Sequence, residues 1–419
     1  MIRIRRYNMS FFEFDKEILD ISHKALELCK EKFSEINEAS EYNSQKVLKA
    51  FIDCNVSERH FNFTTGYGYS DCGREKLDEL FARIFNTEDA LVRLNFTSGT
   101  HALCTALFGI LRPGDKILSL TGNLYDTMHN IIDCQNQNLG SLKDFNILFE
   151  YLNYDNNIYE NIKNKLSNNF KAVYIQKSRG YSLRDSLSCE DIKKLINFVK
   201  NINPEIIVIV DNCYGEFVEK IEPSDCGADL TVGSLIKNPG GGIAPSGGYI
   251  VGKKKYIDMC ASRFIAPGLG KEIGSNPYGY RDIFMGIFNA PKIVSESLKT
   301  AVFCACVFEL LNFEVSPKYN QKRFDIVQSI ILKNPKNMIS FCKNIQSCSP
   351  VDSFVSPEPW DMPGYNHQVI MAAGNFISGS SIELSADGPI KEPYVIWLQG
   401  GTNFDMSKIS ILKSVSDLI

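Results

Sequence analysis

The sequence has no long hydrophobic run, which argues against a helical membrane protein. Its most apolar window, residues 301–313, is too short to span a bilayer and carries Glu309, so it reads as part of a buried helix. The opening residues, MIRIRRYNMSFFEFDKE, start basic and reach acids before any long apolar stretch, which is not a signal-peptide pattern. Cysteine pairing motifs are also missing. The 13 cysteines are scattered over 419 residues with no CxxC and a single CxC, at Cys304 and Cys306. A secreted disulfide scaffold is short and far denser in cysteine, so these read as thiols of a reducing compartment, and a cytoplasmic protein is expected. The five histidines form no HExxH or HxxxH pair, so no structural metal site is expected. Positive charge is not in excess either. A net charge of −4 and a pI near 5.9 lack the basic face of a nucleic-acid protein.

What is present is a globular composition, 44% hydrophobic and 22% charged, on a chain long enough for one large domain and a smaller one. Residues 11–54 carry helical periodicity, with Ile18, Ile21, Ala25 and Leu28 on one stripe. A polar, aromatic-rich turn, FNFTTGYGYSDCG, precedes a second amphipathic helix through Leu77, Leu80, Phe81 and Ile84. From residue 90 short apolar strands alternate with helices: ALVRLNF, KILSL, KAVYIQK, a helix over 189–200, then EIIVIVD and GGYIVG. Continuous apolar strands are buried on both faces, so the pattern predicts an α/β fold with a mostly parallel sheet covered by helices. After residue 310 the pattern mixes helix with antiparallel strand, ending in SSIELSA and PYVIWLQ separated by DGPIKE. The expected division is an N-terminal helical segment over 1–60, a large domain over 61–310 and a small α+β domain over 311–419.

Three stretches place polar groups where a ligand could meet them. In FTSGTHAL, Ser98, Gly99 and Thr100 open a helix, and hydroxyls with free N–H groups there suit an anion as well as an ordinary cap. In IIVIVDNCYGEF an apolar strand ends in Asp211. Ligands gather outside the carboxyl ends of such strands, although Asp is also a common turn residue. In GSLIKNPGGGIAPSGG, Lys237 follows an apolar stretch and precedes a glycine turn, three residues after Ser234. Most lysines are solvated. A dry cleft here would lower the amine's pKa and make it nucleophilic. The glycine run is neither a P-loop nor a dinucleotide fingerprint. A phosphate cup, a carboxylate after a strand and a lysine are together the three contacts that pyridoxal phosphate needs.

At these residues the sequence resembles the Cys/Met-metabolism group of pyridoxal-phosphate enzymes of the aspartate-aminotransferase-like fold, type I. Within it the chain is similar to the subfamily named for aluminium resistance, also described as methionine γ-lyase-like or cystathionine β-lyase-like. YGYSDCGREKLDELFARIF, VRLNFTSGTHAL, LRPGD, YDTMHNII, IQKSRGYSLR, VDNCYGEF, GSLIKNPGGGIAPSGGYIVG and DGPIKEPYVIWLQGG match that pattern in order, over residues 60–405. The resemblance implies Lys237 as the Schiff-base lysine and Asp211 as the partner of the pyridine nitrogen. It implies Ser98, Gly99, Thr100 and Ser234 around the phosphate, Tyr125 stacked on the ring, and Tyr67 or Tyr69 reaching the phosphate of a neighbouring subunit. Better-known γ-lyases carry Tyr-x-Arg in that crossing segment. Here no arginine follows either tyrosine at that spacing, and Arg74 is the candidate substitute. Lys391 stands where arginine is expected in DGPIKEPY, which leaves Arg179 and Lys391 as rival clamps for a substrate carboxylate. Arginine's planar fork favours Arg179.

The expected function is a carbon–sulfur lyase performing β- or γ-elimination on cystathionine, cysteine or methionine, in a homodimer or homotetramer with shared active sites. Lys237, displaced by the substrate amine, would remove the α-proton, with Asp211 keeping the ring nitrogen protonated. A transaminase, racemase or aldolase on the same fold is the alternative, since fold does not choose the reaction. A non-catalytic cofactor- or metal-responsive protein is the third reading.

Overall fold

The apolar runs of the middle of the chain become the strands of one sheet in the computed structural model, which describes residues 11–135, 138–166, 169–362 and 367–418. The basic opening segment, residues 1–10, lies outside them. The strands are β1 (Asp89–Arg93), β2 (Lys116–Ser119), β3 (Leu148–Tyr151), β4 (Phe170–Gln176), β5 (Ile207–Asp211), β6 (Leu230–Ser234) and β7 (Gly248–Gly252). Their order is β1-β7-β6-β5-β4-β2-β3, and β7 alone runs against the rest. β5 and β6 are buried along their whole length, as their unbroken apolar character requires when helices cover both faces.

The helices supply that cover. They are α1 (Lys16–Asp53), α2 (Cys72–Ile84), α3 (Gly99–Ile110), α4 (Asp126–Ile132), α5 (Ile158–Lys165), α6 (Cys189–Ile202), α7 (Lys254–Phe264), α8 (Arg281–Leu310), α9 (Pro335–Ser347) and α10 (Phe404–Val415). Ser188 and Asp191 close α6 with a reciprocal cap, the Asp191 N–H donating to Ser188 Oγ at 2.9 Å. Arg93 at the end of β1 forms a buried two-pronged pair with Asp78 of α2, at 2.7 and 3.0 Å. α1 packs along α8, and both helices contribute to two separate cores. Ile18, Ala25 and Cys29 join the second half of α8, while Val47 and Ala50 join its first half. The buried stripe of α1 thus passes through Cys29, and Leu28, expected on it, faces solvent.

A second, five-stranded antiparallel sheet follows α8: β8 (Glu314–Ser316), β9 (Gln328–Ile331), β10 (Val369–Ala372), β11 (Ser385–Pro389) and β12 (Val395–Gln399), in the order β10-β11-β12-β9-β8. The sequence placed the strand before β12 at residues 380–386, about one turn too early. Ser381 to Glu383 instead form a turn, and the Glu383 carboxylate accepts from the N–H groups of Phe376 and Ile377 at 2.8 and 3.0 Å. The Asp-Gly-Pro read as a turn lies inside β11. Gly388 is tolerated there because a Cβ would sit 2.4 Å from the Val395 carbonyl oxygen of β12.

Candidate active site

β4, β5 and β6 end in register, with Gln176 opposite Asp211 and Asp211 opposite Val232 two residues before Ser234. Their carboxyl ends, the start of α3 and the β11–β12 face of the second sheet enclose a cavity of about 290 Å³. Seven of the residues expected at the site line it: Ser98, Gly99, Thr100, Tyr125, Asp211, Ser234 and Lys237.

Each is placed by its element. Ser98 caps α3, its Oγ accepting from the His101 N–H at 3.1 Å. Gly99 has no room for a side chain, since a Cβ would meet the Ser234 Cβ at 2.9 Å. Thr100 Oγ1 lies 3.0 Å from Thr127 Oγ1. The Tyr125 N–H donates to Gln176 Oε1 at 3.0 Å, which fixes that tyrosine beside β4. Asp211 is buried and accepts from the Cys213 N–H at 3.0 Å and the Tyr174 hydroxyl at 3.2 Å. Burial pushes its carboxyl above the usual range, and the Lys237 charge pulls the other way.

Lys237 sits at the mouth of a short turn, Asn238–Gly240, with its Nζ 4.0 Å from the centre of the Tyr214 ring. The turn is braced from below. Asn238 Nδ2 donates to the Glu216 carbonyl at 2.9 Å, and the Tyr249 hydroxyl donates to Glu216 Oε1 at 2.8 Å. α8 crosses so near that a Cβ on Gly286 would meet the Gly240 carbonyl oxygen at 2.4 Å. The lysine's acidity differs from the sequence expectation. Burial does act to lower its pKa, but the groups of Cys213, Tyr214, Asp211 and Glu216 outweigh it and the net displacement is upward. The sequence showed the apolar approach to Lys237 and hid the acids that fold beneath it.

The remaining candidates lie elsewhere. Arg74 is buried in the crossing segment, donating to the carbonyls of Gly68, Gly274 and Glu272 at 2.9, 3.1 and 3.2 Å. It shapes the loop that carries Tyr67 and Tyr69 and does not line the cavity. Those two tyrosines are 69% and 65% exposed, with ring centres 5.6 Å apart. Arg179 does not line the cavity. Its guanidinium donates to the carbonyl and hydroxyl oxygens of Ser316, both at 3.0 Å. Its second terminal nitrogen stands 3.8 Å from the exposed Asp185 carboxylate, and the arginine side chain itself is fully buried. Lys391 is exposed in the turn after β11. Lys237 is thus the sole cation among the described residues that line the cavity.

Sequence reasoning missed Tyr174, Gln176 and Glu216. A hydroxyl and an amide in the otherwise apolar β4, and an acid in a turn bounded by apolar residues, were the available signals. It also missed the second-sheet wall, where Asp387 and Gln399 line the cavity. Among the described residues no group of three or more His, Cys, Asp or Glu is arranged to hold a metal ion. None of their helices is long and apolar enough to cross a membrane.

The site fits pyridoxal phosphate, which brings a phosphate, a ring nitrogen and an aldehyde. Ser234 Oγ is buried with no partner among the described residues. It stands beside the first turn of α3, whose N–H groups have no acceptor within the helix.

Comparison with known proteins agrees. The family model for methionine γ-lyase matches residues 18–419. The Bacillus subtilis (strain 168) protein YnbB is 48% identical over 389 residues, 92% of either chain. A solved structure of a carbon–sulfur lyase involved in aluminium resistance, from Clostridium novyi NT, is 48% identical over 97% of this chain and 96% of its own, with a TM-score of 0.92. A candidate cystathionine β-lyase involved in aluminium resistance, from Clostridium acetobutylicum, is 46% identical over 97% and 96%, with a TM-score of 0.93. Fold and site together define a pyridoxal-phosphate-dependent enzyme of fold type I. Within that class the chain belongs to the methionine γ-lyase family, whose members are carbon–sulfur lyases.

Proposed function

We propose that the protein eliminates a thiol from a sulfur-containing α-amino acid, by β- or γ-elimination, releasing ammonia and a keto acid. In this reading Lys237 binds the cofactor's aldehyde and Asp211 faces its ring nitrogen. The first turn of α3 at Ser98, Gly99 and Thr100, with Ser234 Oγ, holds the phosphate, and Tyr125 covers the ring. The carrying observation is that a lysine, a buried carboxylate and a buried, unpartnered hydroxyl at a helix start converge on one cavity.

The bound cofactor supplies an electron sink for the charge that develops when the α-proton leaves. The chain's own groups do the rest. Lys237 Nζ, once freed by the substrate amine, takes the α-proton. Asp211 would keep the ring nitrogen protonated, and the Tyr174 hydroxyl with the Cys213 N–H holds its carboxylate in place. The wall of β11 and β12 closes the cavity from the side of the second sheet.

We read residues 61–310 as the cofactor-binding domain and 311–419 as the smaller one, with 1–60 as the N-terminal helical segment. Tyr67 and Tyr69, exposed on a loop that Arg74 stiffens, are proposed to complete the site of a second copy in a homodimer or homotetramer. Thirteen cysteines, all as thiols, support a cytoplasmic location.

The test is direct. Purified protein should show a near-visible absorption band that borohydride removes, with the reduced label on Lys237. Lys237→Ala should lack both band and label, and a borohydride-fixed label elsewhere defeats the assignment. Keto acid and thiol released from a sulfur amino acid without an amino acceptor support the lyase. A requirement for an acceptor supports a transaminase.

A further inference from the structure

The second-sheet wall of the cavity carries a charge that the elimination reaction does not need. Asp387 lies in β11 opposite Trp397 of β12 and is 6% exposed. One carboxylate oxygen, Oδ2, accepts from Gln399 Nε2 at 3.1 Å, and the Tyr181 side chain also hydrogen-bonds the carboxyl group. The other oxygen, Oδ1, is buried with no partner among the described residues. Ser385, two positions earlier and so on the same face of the strand, lines the same cavity, and its Oγ is likewise unpartnered and buried.

Three charged side chains line the cavity among the described residues: Lys237, Asp211 and Asp387. The first two belong to the cofactor in the function proposed above. Asp387 is the charge that remains. A buried acceptor left without a donor is costly, and a site built around one discriminates strongly against a ligand that lacks the donor. An α-carboxylate is repelled from this wall, and a plain alkyl side chain leaves Oδ1 unpaired. A cation with N–H groups satisfies it.

We propose that Asp387 determines specificity by binding an ammonium group on the leaving half of the substrate. The pocket would thus select sulfur amino acids whose departing thiol carries an amine over those that release a simple alkyl thiol. This rests on the lyase reading and adds the substrate class. Burial raises the Asp387 carboxyl to about 7, which Tyr181 and Lys237 moderate. The titratable groups around it are Lys237, Tyr181, Tyr214 of the turn after β5 and Cys342 of α9. An incoming cation favours the charged carboxylate, and the preference should weaken as pH falls below 7 and the carboxyl protonates.

Two probes of equal shape test it: S-(2-aminoethyl)cysteine and S-propylcysteine, which differ by an ammonium in place of a terminal methyl. Each is titrated into the holoenzyme, with binding read from the change in the cofactor's absorption band and turnover from keto acid. The aminoethyl compound should bind tighter by roughly 100-fold at pH 8. In Asp387→Asn, which keeps the shape, that ratio should fall to near one. Because the ratio is taken within one preparation, loss of folded protein cancels from it. The wild-type ratio should also shrink between pH 8 and pH 6, and that measurement needs no variant. Equal binding of the two probes by the wild type, or an unchanged ratio in Asp387→Asn, overturns the proposal. If neither probe nor any sulfur amino acid yields keto acid while the band still reports binding, the lyase reading fails and the binding ratio still judges Asp387.

Discussion

At the scale of single residues the site is a set of buried charges that hold one another in place. Asp211 is fixed by two donors and lies at the end of a strand buried on both sides, so its field acts through little water. Asp211→Asn keeps the shape and removes the charge. We expect a loss of about two to three orders of magnitude in kcat, the size of one preorganised electrostatic contact; turnover near the wild-type value would remove Asp211 from the mechanism. Glu216, below the lysine turn, has a consequence for stability. Burial pushes its carboxyl up to about 8 against an ordinary 4.5, a shift that the Tyr249 hydroxyl partly offsets. The folded chain therefore binds a proton that the unfolded chain releases, so this contribution to stability is complete below pH 4.5 and is lost as pH rises toward 8. The slope for one proton is at most about 1.4 kcal/mol per pH unit. Denaturant midpoints measured from pH 5 to 8 should fall for the wild type and fall less for Glu216→Gln; identical slopes would show that Glu216 ionises normally.

At the scale of elements, most of what the sequence displayed was periodicity, and periodicity was enough for most helices and strands. The runs KILSL, KAVYIQK and EIIVIVD formed β2, β4 and β5, short and mostly apolar runs of the kind found in strands buried on both faces. The Ser98 cap was legible because its hydroxyl acts on its own neighbours. β11 was misplaced because SSIELSA alternates like a strand, while its serines and Glu383 satisfy a turn through partners at residues 375–377. A partner far along the chain hid the setting of Arg179. It stands after a strand end, where a ligand contact is reasonable, but one of its nitrogens donates to Ser316, 137 positions away. The approach of α8 to the lysine turn was equally invisible, since nothing local marks Gly286 as touching Gly240. Its prediction is steric. Gly286→Ala places a Cβ against backbone that has no rotamer to yield, so the protein should lose about 1–3 kcal/mol of stability. Its affinity for cofactor should fall as well, because Gly240 is three residues from Lys237. A variant with unchanged denaturation and cofactor retention would mean that α8 slides freely there.

At the scale of the whole molecule, the cavity exists only where the two sheets meet, and α1 and α8 tie them by entering both cores. That frame brings Lys237, Asp211 and the start of α3 to one cavity, and among the described residues no second cation lines it. Arg74 donates to backbone carbonyls around its own loop, Arg179 bonds Ser316 through one nitrogen and does not line the cavity, Lys391 is in solvent, and Lys237 is the cation proposed to bind the cofactor. The exposed Tyr67 and Tyr69 make the complementary statement. Two large aromatic side chains stand in water on a loop stiffened by a buried arginine, an arrangement that costs apolar exposure unless another surface covers it. In the proposed assembly a symmetric pair would cover these tyrosines against the site of the second copy. The active species should therefore be a dimer or a tetramer by light scattering. Arg74→Ala should lower the cofactor affinity of the assembled protein through the slackened loop, and Tyr67→Ala with Tyr69→Ala should do so more strongly, while neither touches the cavity of its own chain. Mixing either variant with Lys237→Ala tests the sharing itself. If sites are built from two chains, hybrids regain activity, because one site of each pair receives both an intact lysine and an intact loop. An active monomer, or hybrids no better than their parents, would place the missing contacts within a single chain.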